Sequence, residues 1–152
     1  MSSFSALGAL AVAVDVALRK RDEARRLLQD ARSAQEGALE QMAQLQGYAN
    51  DTQNRWGMRA HAQVAPEVMY HHYQFMDRLQ HAIGLQTTVM NDHGGRVEAA
   101  QQALLAAELR LASLKKLMDK RRAEWDQMQL RREQKQTDER AAQQRGNVFN
   151  SL

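Results

Sequence analysis

Apolar residues recur at alternating steps of three and four through the first third of the chain, and that period dictates how it must fold. The row reads Leu7, Leu10, Val14, Ala17, Arg21, Ala24, Leu28, Ala31, Gln35, Ala38, Met42, Leu45 and Ala49, interrupted only by Arg21 and Gln35. Such a row is the seam of an α-helix that buries one stripe by lying along another helix. It predicts a helix from about Ser5 to about Gln53, on the order of 70 Å long at ~1.5 Å per residue. Asp15, Arg19, Lys20, Asp22, Glu23, Arg26, Asp30 and Glu36 mostly fall off the row, whereas Leu18 and Leu27 widen it. Gly37 and Gly47 each cost roughly 1 kcal/mol against alanine.

The period lapses between residues 54 and 65, where Asn54 and Gly57 precede the lone proline, Pro66. Proline suits the first turn of a helix and Glu67 favours its positive end, so a second helix is expected from Pro66 to about Arg145. Trp56 and Met58 are expected to pack across the tip. The second seam reads Val68, His72, Phe75, Leu79, Ala82, Gln86, Val89 and His93. It then slips by one residue at Gly94-Gly95 and resumes as Val97, Ala100, Leu104, Ala107, Leu111, Leu114, Met118, Arg121, Trp125 and Met128. Two glycines at a phase change predict a bend or local unwinding there, as seam repair or as a hinge. The expected fold is all-α: two long helices in one antiparallel coiled-coil hairpin, the second longer and overhanging. A hairpin centred on residues 54 to 66 sets residue 10 opposite about residue 110. The polar chain beyond about residue 118 then has no partner, and a lone polar helix is marginal in water. Residues 146–152 are expected to be a disordered tail.

Composition agrees with a helical hairpin and excludes several functions. Aromatic residues are 5% of the 152 and charged residues 26%, a balance suited to burying a stripe rather than a globular core. There is no cysteine, so disulfides and thiolate metal sites are excluded. The apolar stretch from Ala6 to Leu18 is shorter than the roughly 20 residues of a membrane span and contains Asp15. It also lacks the basic leader and cleavage pattern of a secretory signal. The formal net charge of +3 gathers in Arg19-Lys20-Arg21, Arg25-Arg26, Lys115-Lys116, Lys120-Arg121-Arg122 and Arg131-Arg132. These clusters read as solvated helix faces or as docking points for an acidic partner. Nucleic acid fits them less well, because no aromatic residues interleave and no recognition motif follows.

The residues that carry chemistry do not assemble into a site. His71 and His72 are adjacent and so point to different faces, and His72 and His81 do not share a turn; helical metal pairs need spacings of three or four. No phosphate loop, nucleophile elbow or His-Glu-x-x-His occurs, and the acidic pair Asp138-Glu139 has no pocket to shift its pKa values. Neither a cofactor nor an enzymatic activity is expected.

Three motifs go beyond a generic coiled coil. They are Gln41-x-x-x-Leu45-x-x-Tyr48, then Tyr73-Gln74-Phe75-x-x-x-Leu79-x-x-Ala82-Ile83-x-x-Gln86, then Arg131-Arg132-Glu133-Gln134-Lys135-x-x-Asp138-Glu139-x-Ala141. In this order, and in a chain of this length, they resemble the FliJ family of the bacterial flagellar protein-export apparatus over about residues 5 to 145. The resemblance implies an antiparallel coiled coil like the central stalk of rotary ATPases. Its partners would be the hexameric export ATPase, the cytoplasmic domain of the export-gate membrane protein, and empty export chaperones. It places the chain in the cytoplasm, peripherally associated with the inner-membrane export apparatus and without direct membrane insertion.

The family's gate-binding surface carries over onto Gln41, Leu45, Tyr48, Phe75, Leu79, Ala82 and Gln86. Thr52 stands where a second tyrosine is common, and Gln86 where a histidine can occur. The ATPase-facing part falls by analogy on the start of the first helix and the facing half of the second, with Leu18, Arg19, Arg21 and Asp22 as candidates. Periodicity alone leaves Leu45, Phe75, Leu79 and Ala82 open to a second reading, because all four also fit the seam. Gln41 and Tyr48 lie just off it. The competing functions are a generic coiled-coil adaptor, the equivalent stalk of a virulence type III secretion system, and a basic helical nucleic-acid binder.

Overall fold

The structure, a computed structural model, describes residues 3–59 and 64–150. All of these except Val64 and Ala65 lie in two helices, α1 (Ser3–Arg59) and α2 (Pro66–Asn150). The chain is all-α, an antiparallel pair with the longer helix second, as the two seams require. α1 continues past Gln53 to Arg59, so the helix takes over part of the segment expected to be a loop. α2 begins at Pro66 as expected. The Ala65 carbonyl accepts hydrogen bonds from the amides of Val68 and Met69 at 3.1 and 3.2 Å, and proline loses no donor at this position. At its far end α2 passes through Gly146 to Asn150, where a disordered tail was expected; residues 151–152 lie outside the described residues.

Contacts divide the pair into two compact units, residues 23–105 and residues 1–22 with 106–152. In the first of these, unit 2, the α1 seam from Ala24 to Ala49 is buried or half-buried at every expected position and extends to Thr52 and Trp56. Ala24, Leu28, Ala38, Met42 and Ala49 form its core, where small residues allow the helix backbones to approach. The Trp56 ring stacks on His72 of α2 with centroids 4.1 Å apart and planes 8° from parallel. The Met58 side chain lies outside the described residues.

The α2 seam differs from the expected one. It runs through His72, Met76, Leu79, Ile83, Gln86, Met90, His93, Val97, Ala100 and Leu104, alternating steps of four and three without interruption. Val68, Phe75 and Val89, assigned to the seam from the sequence, are exposed. The expected slip therefore does not exist. It arose from following the apolar row Phe75-Ala82-Val89 instead of the adjacent row Met76-Ile83-Met90. Both rows flank the same shared positions, but only the second continues in phase into Val97. No unwinding occurs at Gly94-Gly95: both glycines are helical, and no described glycine has a positive φ.

Gln86 supplies the seam's polar link between the helices. Its side-chain amide donates to the Ala38 carbonyl at 2.9 Å and to Gln41 Oε1 at 3.3 Å, satisfying a group that would otherwise cost free energy on burial. On the solvent side, Arg26 bridges Glu23 at 2.6 Å and Asp30 at 3.1 Å, one turn away on either side. The Arg26 hydrogen bond holds the Glu23 carboxyl below its ordinary range. Its contribution to stability is thus present above the ordinary carboxylate pKa and is lost as pH falls through the lowered one. Both groups are exposed and screened, so the effect is small.

Unit 1 pairs the start of α1 with the later part of α2. Leu7, Leu10, Val14, Ala17 and Arg21 oppose a row containing Ala107, Leu111, Leu114, Met118 and Trp125. Leu10 shares a groove with Leu117, Arg121, Trp125 and Met128 rather than lying opposite residue 110. Pairing therefore persists to about Gln129, well beyond the expected limit of residue 118, because the turn lies later in the chain than the sequence suggested. From Leu130 to Asn150 every residue is exposed.

Candidate partner-binding surface

An antiparallel pair has two flanks, and the register decides which residues share one. In unit 2, Gln41 and Tyr48 precede the seam residues Met42 and Ala49 of α1. Phe75, Ala82 and Val89 stand in the same relation to Met76, Ile83 and Met90 of α2. Positions that precede the seam on one helix face their counterparts on the other in an antiparallel coil. These residues therefore line a single flank, and the hydrogen bond from Gln86 to Gln41 lies along it.

The seven residues assigned to this surface divide by burial. Leu79 is 8% exposed and belongs to the core, and Leu45 is half-buried in the α1 seam. Ala82 and Gln86 are half-buried at the edge, with Gln86 engaged across the pair. Gln41 is exposed, Tyr48 is 63% exposed and Phe75 is 48% exposed. Gln41, Tyr48 and Phe75 thus turn their side chains to solvent, while Leu45 and Leu79 are packed beneath them between the helices. Exposed aromatic rings on a folded surface are costly to leave in water and are the residue type on which protein interfaces concentrate binding energy.

The other flank carries a second aromatic group that periodicity did not single out. Tyr70 and Tyr73 are both largely exposed and line a cleft of about 360 Å³ with Gln74, Met76, Asp77 and Gln80. The Tyr70 hydroxyl accepts a hydrogen bond from the Gln74 amide at 2.9 Å. Their spacing of three residues puts them on one face, and that was the available signal.

In unit 1, Leu18 is half-buried while Arg19 and Asp22 are exposed. Arg21 sits on the seam, and its guanidinium reaches out to Asp22 at 2.8 Å. Sequence reasoning did not identify the two grooves that flank Trp125. One, about 550 Å³, is lined by Ala6, Leu10, Leu117 and Arg121 among others; the opposite one, about 340 Å³, includes Phe4, Leu7, Met118 and Arg122. Among the described residues no cluster of three or more histidine or acidic side chains could hold a metal ion. His71 and His81 are exposed, and His72 is occupied by its stack on Trp56. No described helix is long and apolar enough to cross a membrane.

Comparison with known proteins agrees with this architecture. A solved structure described as that of a YscO homolog, CT670, from Chlamydia trachomatis superimposes with a TM-score of 0.81, covering 97% of this chain and 93% of that one. At 18% identity this similarity establishes a shared fold. No curated protein sequence matches the chain. The flagellar FliJ protein family matches residues 6–147, nearly the whole length. The chain therefore belongs to the flagellar FliJ family, non-catalytic components of the type III apparatus that exports flagellar proteins.

Proposed function

We propose that this chain is the stalk of a flagellar export apparatus. Unit 1 engages the hexameric export ATPase, and the Tyr48–Phe75 flank of unit 2 engages the cytoplasmic domain of the export gate. The observation that carries this reading is the exposed aromatic pair, one ring from each helix, on a flank whose apolar supports are buried. The clefts along the pair are open grooves, and among the described residues none gathers a cluster of metal-binding groups, so the effect is read as one of contact. The chain shifts the ATPase or the gate only by binding one of that partner's states more tightly than another. Escort of empty export chaperones is the third part of the proposal, and the Tyr70–Tyr73 face is free of the gate contact. The chain acts at the cytoplasmic side of the inner membrane, held there by its partners.

Titration calorimetry against the purified gate domain tests the first contact. Tyr48→Ala and Phe75→Ala are each expected to weaken binding by about tenfold or more, roughly 1.4 kcal/mol, while helicity and urea midpoint stay close to those of the parent. Absence of binding by the parent chain removes the gate from the reading.

The ATPase contact has its own test. Replacing Arg19, Lys20 and Arg21 together by glutamate is expected to abolish pull-down of a flagellar export ATPase with helicity retained. Because Arg21 lies on the seam, a second variant with only Arg19→Glu and Lys20→Glu separates the surface charge from the packing. Undiminished capture by both variants takes these residues out of the interface. Capture of a virulence-system ATPase in place of the flagellar one reassigns the chain to that system.

A further inference from the structure

The seam that pairs α2 with α1 ends at Gln129, and from Leu130 onward the helix carries a different stripe on another face. Leu130, Gln134, Thr137, Ala141, Gln144 and Val148 continue the alternation of four and three, and none is charged. The eight-charge pattern of the same segment, from Arg131 to Arg145, avoids these positions completely. All six stripe residues are exposed. Ala141, Gln144, Arg145, Val148 and Phe149 line a shallow cleft of about 300 Å³, and the first four have the spacing of the hole into which a facing helix inserts a side chain. The stripe lies nearly opposite the seam used by α1, so the approach is not blocked by the first helix.

The charges beside the stripe select the occupant. We propose that it is the same stripe of a second copy of this chain, running antiparallel. With Gln134 of one copy layered on Thr137 of the other, Leu130 falls opposite Ala141 and Gln127 opposite Gln144. That register brings Glu133 beside Arg140, Arg131 beside Asp138 and Glu124 beside Arg145, and the two-fold axis repeats each pair. Every charged residue that flanks the stripe from Glu124 to Arg145, Asp126 excepted, then meets an opposite charge, and Asp126 meets the neutral Asn147. The parallel in-register arrangement instead sets Glu133 beside Asp138 and Arg140 beside Arg145, two repulsive pairs against the one attractive pair of Asp126 and Arg131. Flanking charges determine orientation and partner in coiled coils, and like charges exclude the wrong pairing. The resulting contact is isologous and closed, as a two-fold dimer requires. The stripe lies in unit 1 but uses neither the Tyr48–Phe75 flank nor the Arg19-Lys20 cluster, and self-association is measured on the chain alone, so its failure is distinct from a failure of ATPase or gate binding.

Sedimentation equilibrium on the full chain tests the proposal. At about 50 mM salt a concentration-dependent dimer is expected, weakening by about tenfold or more at about 500 mM as the flanking pairs are screened. Glu133→Arg alone and Arg140→Glu alone are each expected to raise the dimer Kd about tenfold, because symmetry turns two attractive pairs repulsive. Combining the two changes restores opposite charges, so the double variant is expected to dimerise like the parent. Geometry is read separately by disulfide trapping, which the absence of native cysteine makes unambiguous. A mixture of Leu130→Cys and Ala141→Cys chains is expected to form the mixed covalent dimer in preference to either homodimer. A chain that stays monomeric at low salt overturns the proposal. So does a double variant no better than the singles, or trapping that favours the Leu130→Cys homodimer, the signature of a parallel pair.

Discussion

Gly95→Pro lowers the stability of the hairpin by about 3 kcal/mol or more, measured by urea denaturation followed at 222 nm. Proline removes an intrahelical hydrogen bond and its ring clashes with the preceding turn. That loss is unavoidable in a continuous helix and would be mild in an unwound segment. Gly94 and Gly95 both lie within α2, and an added Cβ at either position meets no atom within 4 Å. The matching change to alanine therefore works in the opposite direction. Gly94→Ala and Gly95→Ala each stabilise by about 1 kcal/mol, because alanine restricts the unfolded chain and introduces no clash. If the proline variant were as stable as the parent, with alanine destabilising, this part of α2 would be a hinge and the uninterrupted seam would be wrong.

Leu79→Ala costs about 2–4 kcal/mol, whereas Tyr48→Ala and Phe75→Ala each cost under about 1 kcal/mol. Leu79 is 8% exposed, so its truncation loses apolar transfer energy and leaves a cavity between the helices. Tyr48 and Phe75 keep roughly half or more of their surface in water, and truncation removes much less buried area. The motif that joins Phe75 and Leu79 thus contains residues with opposite jobs, one holding the helices together and one facing outward. Denaturation midpoints that ranked Phe75→Ala with Leu79→Ala would put the phenyl ring in the core and remove it from the contact surface.

The same motif shows how far the sequence could be read. The α1 seam could be followed because no apolar row beside it runs unbroken: Lys20 and Gln41 interrupt the row through Ala13, Leu27 and Ala34, and Arg25 and Arg32 interrupt the row through Leu18 and Leu39. On α2, Phe75, Ala82 and Val89 run beside Met76, Ile83 and Met90, and both rows are apolar. Following the first row, a slip had to be supposed to rejoin Val97. The second row extends the clean seam from Leu111 and Met118 backward without a break, so phase continuity was the signal to follow. The register at the other end was misjudged for a related reason. Asn54 and Gly57 read as loop, yet the helix tolerates both and continues to Arg59. Helix propensity is a weak prior that packing overrides, here with Trp56 stacked on His72. Gln41 and Tyr48 were recognisable as outward-facing because they miss the seam by one residue. Tyr73 enters the sequence reading only as part of the family motif and Tyr70 not at all, because no seam argument touches the face they share.

The division between supporting and outward-facing residues has one decisive test in a living cell. In a strain lacking its own FliJ-family protein but compatible with this one, the parent chain is expected to restore secretion of flagellar substrates into the medium. The Tyr48→Ala/Phe75→Ala double variant, at equal cellular level, is expected to lose most of that secretion. Secretion at the parental level by the double variant, measured alongside a parent chain that does restore export, would contradict the assignment of this flank to the export machinery.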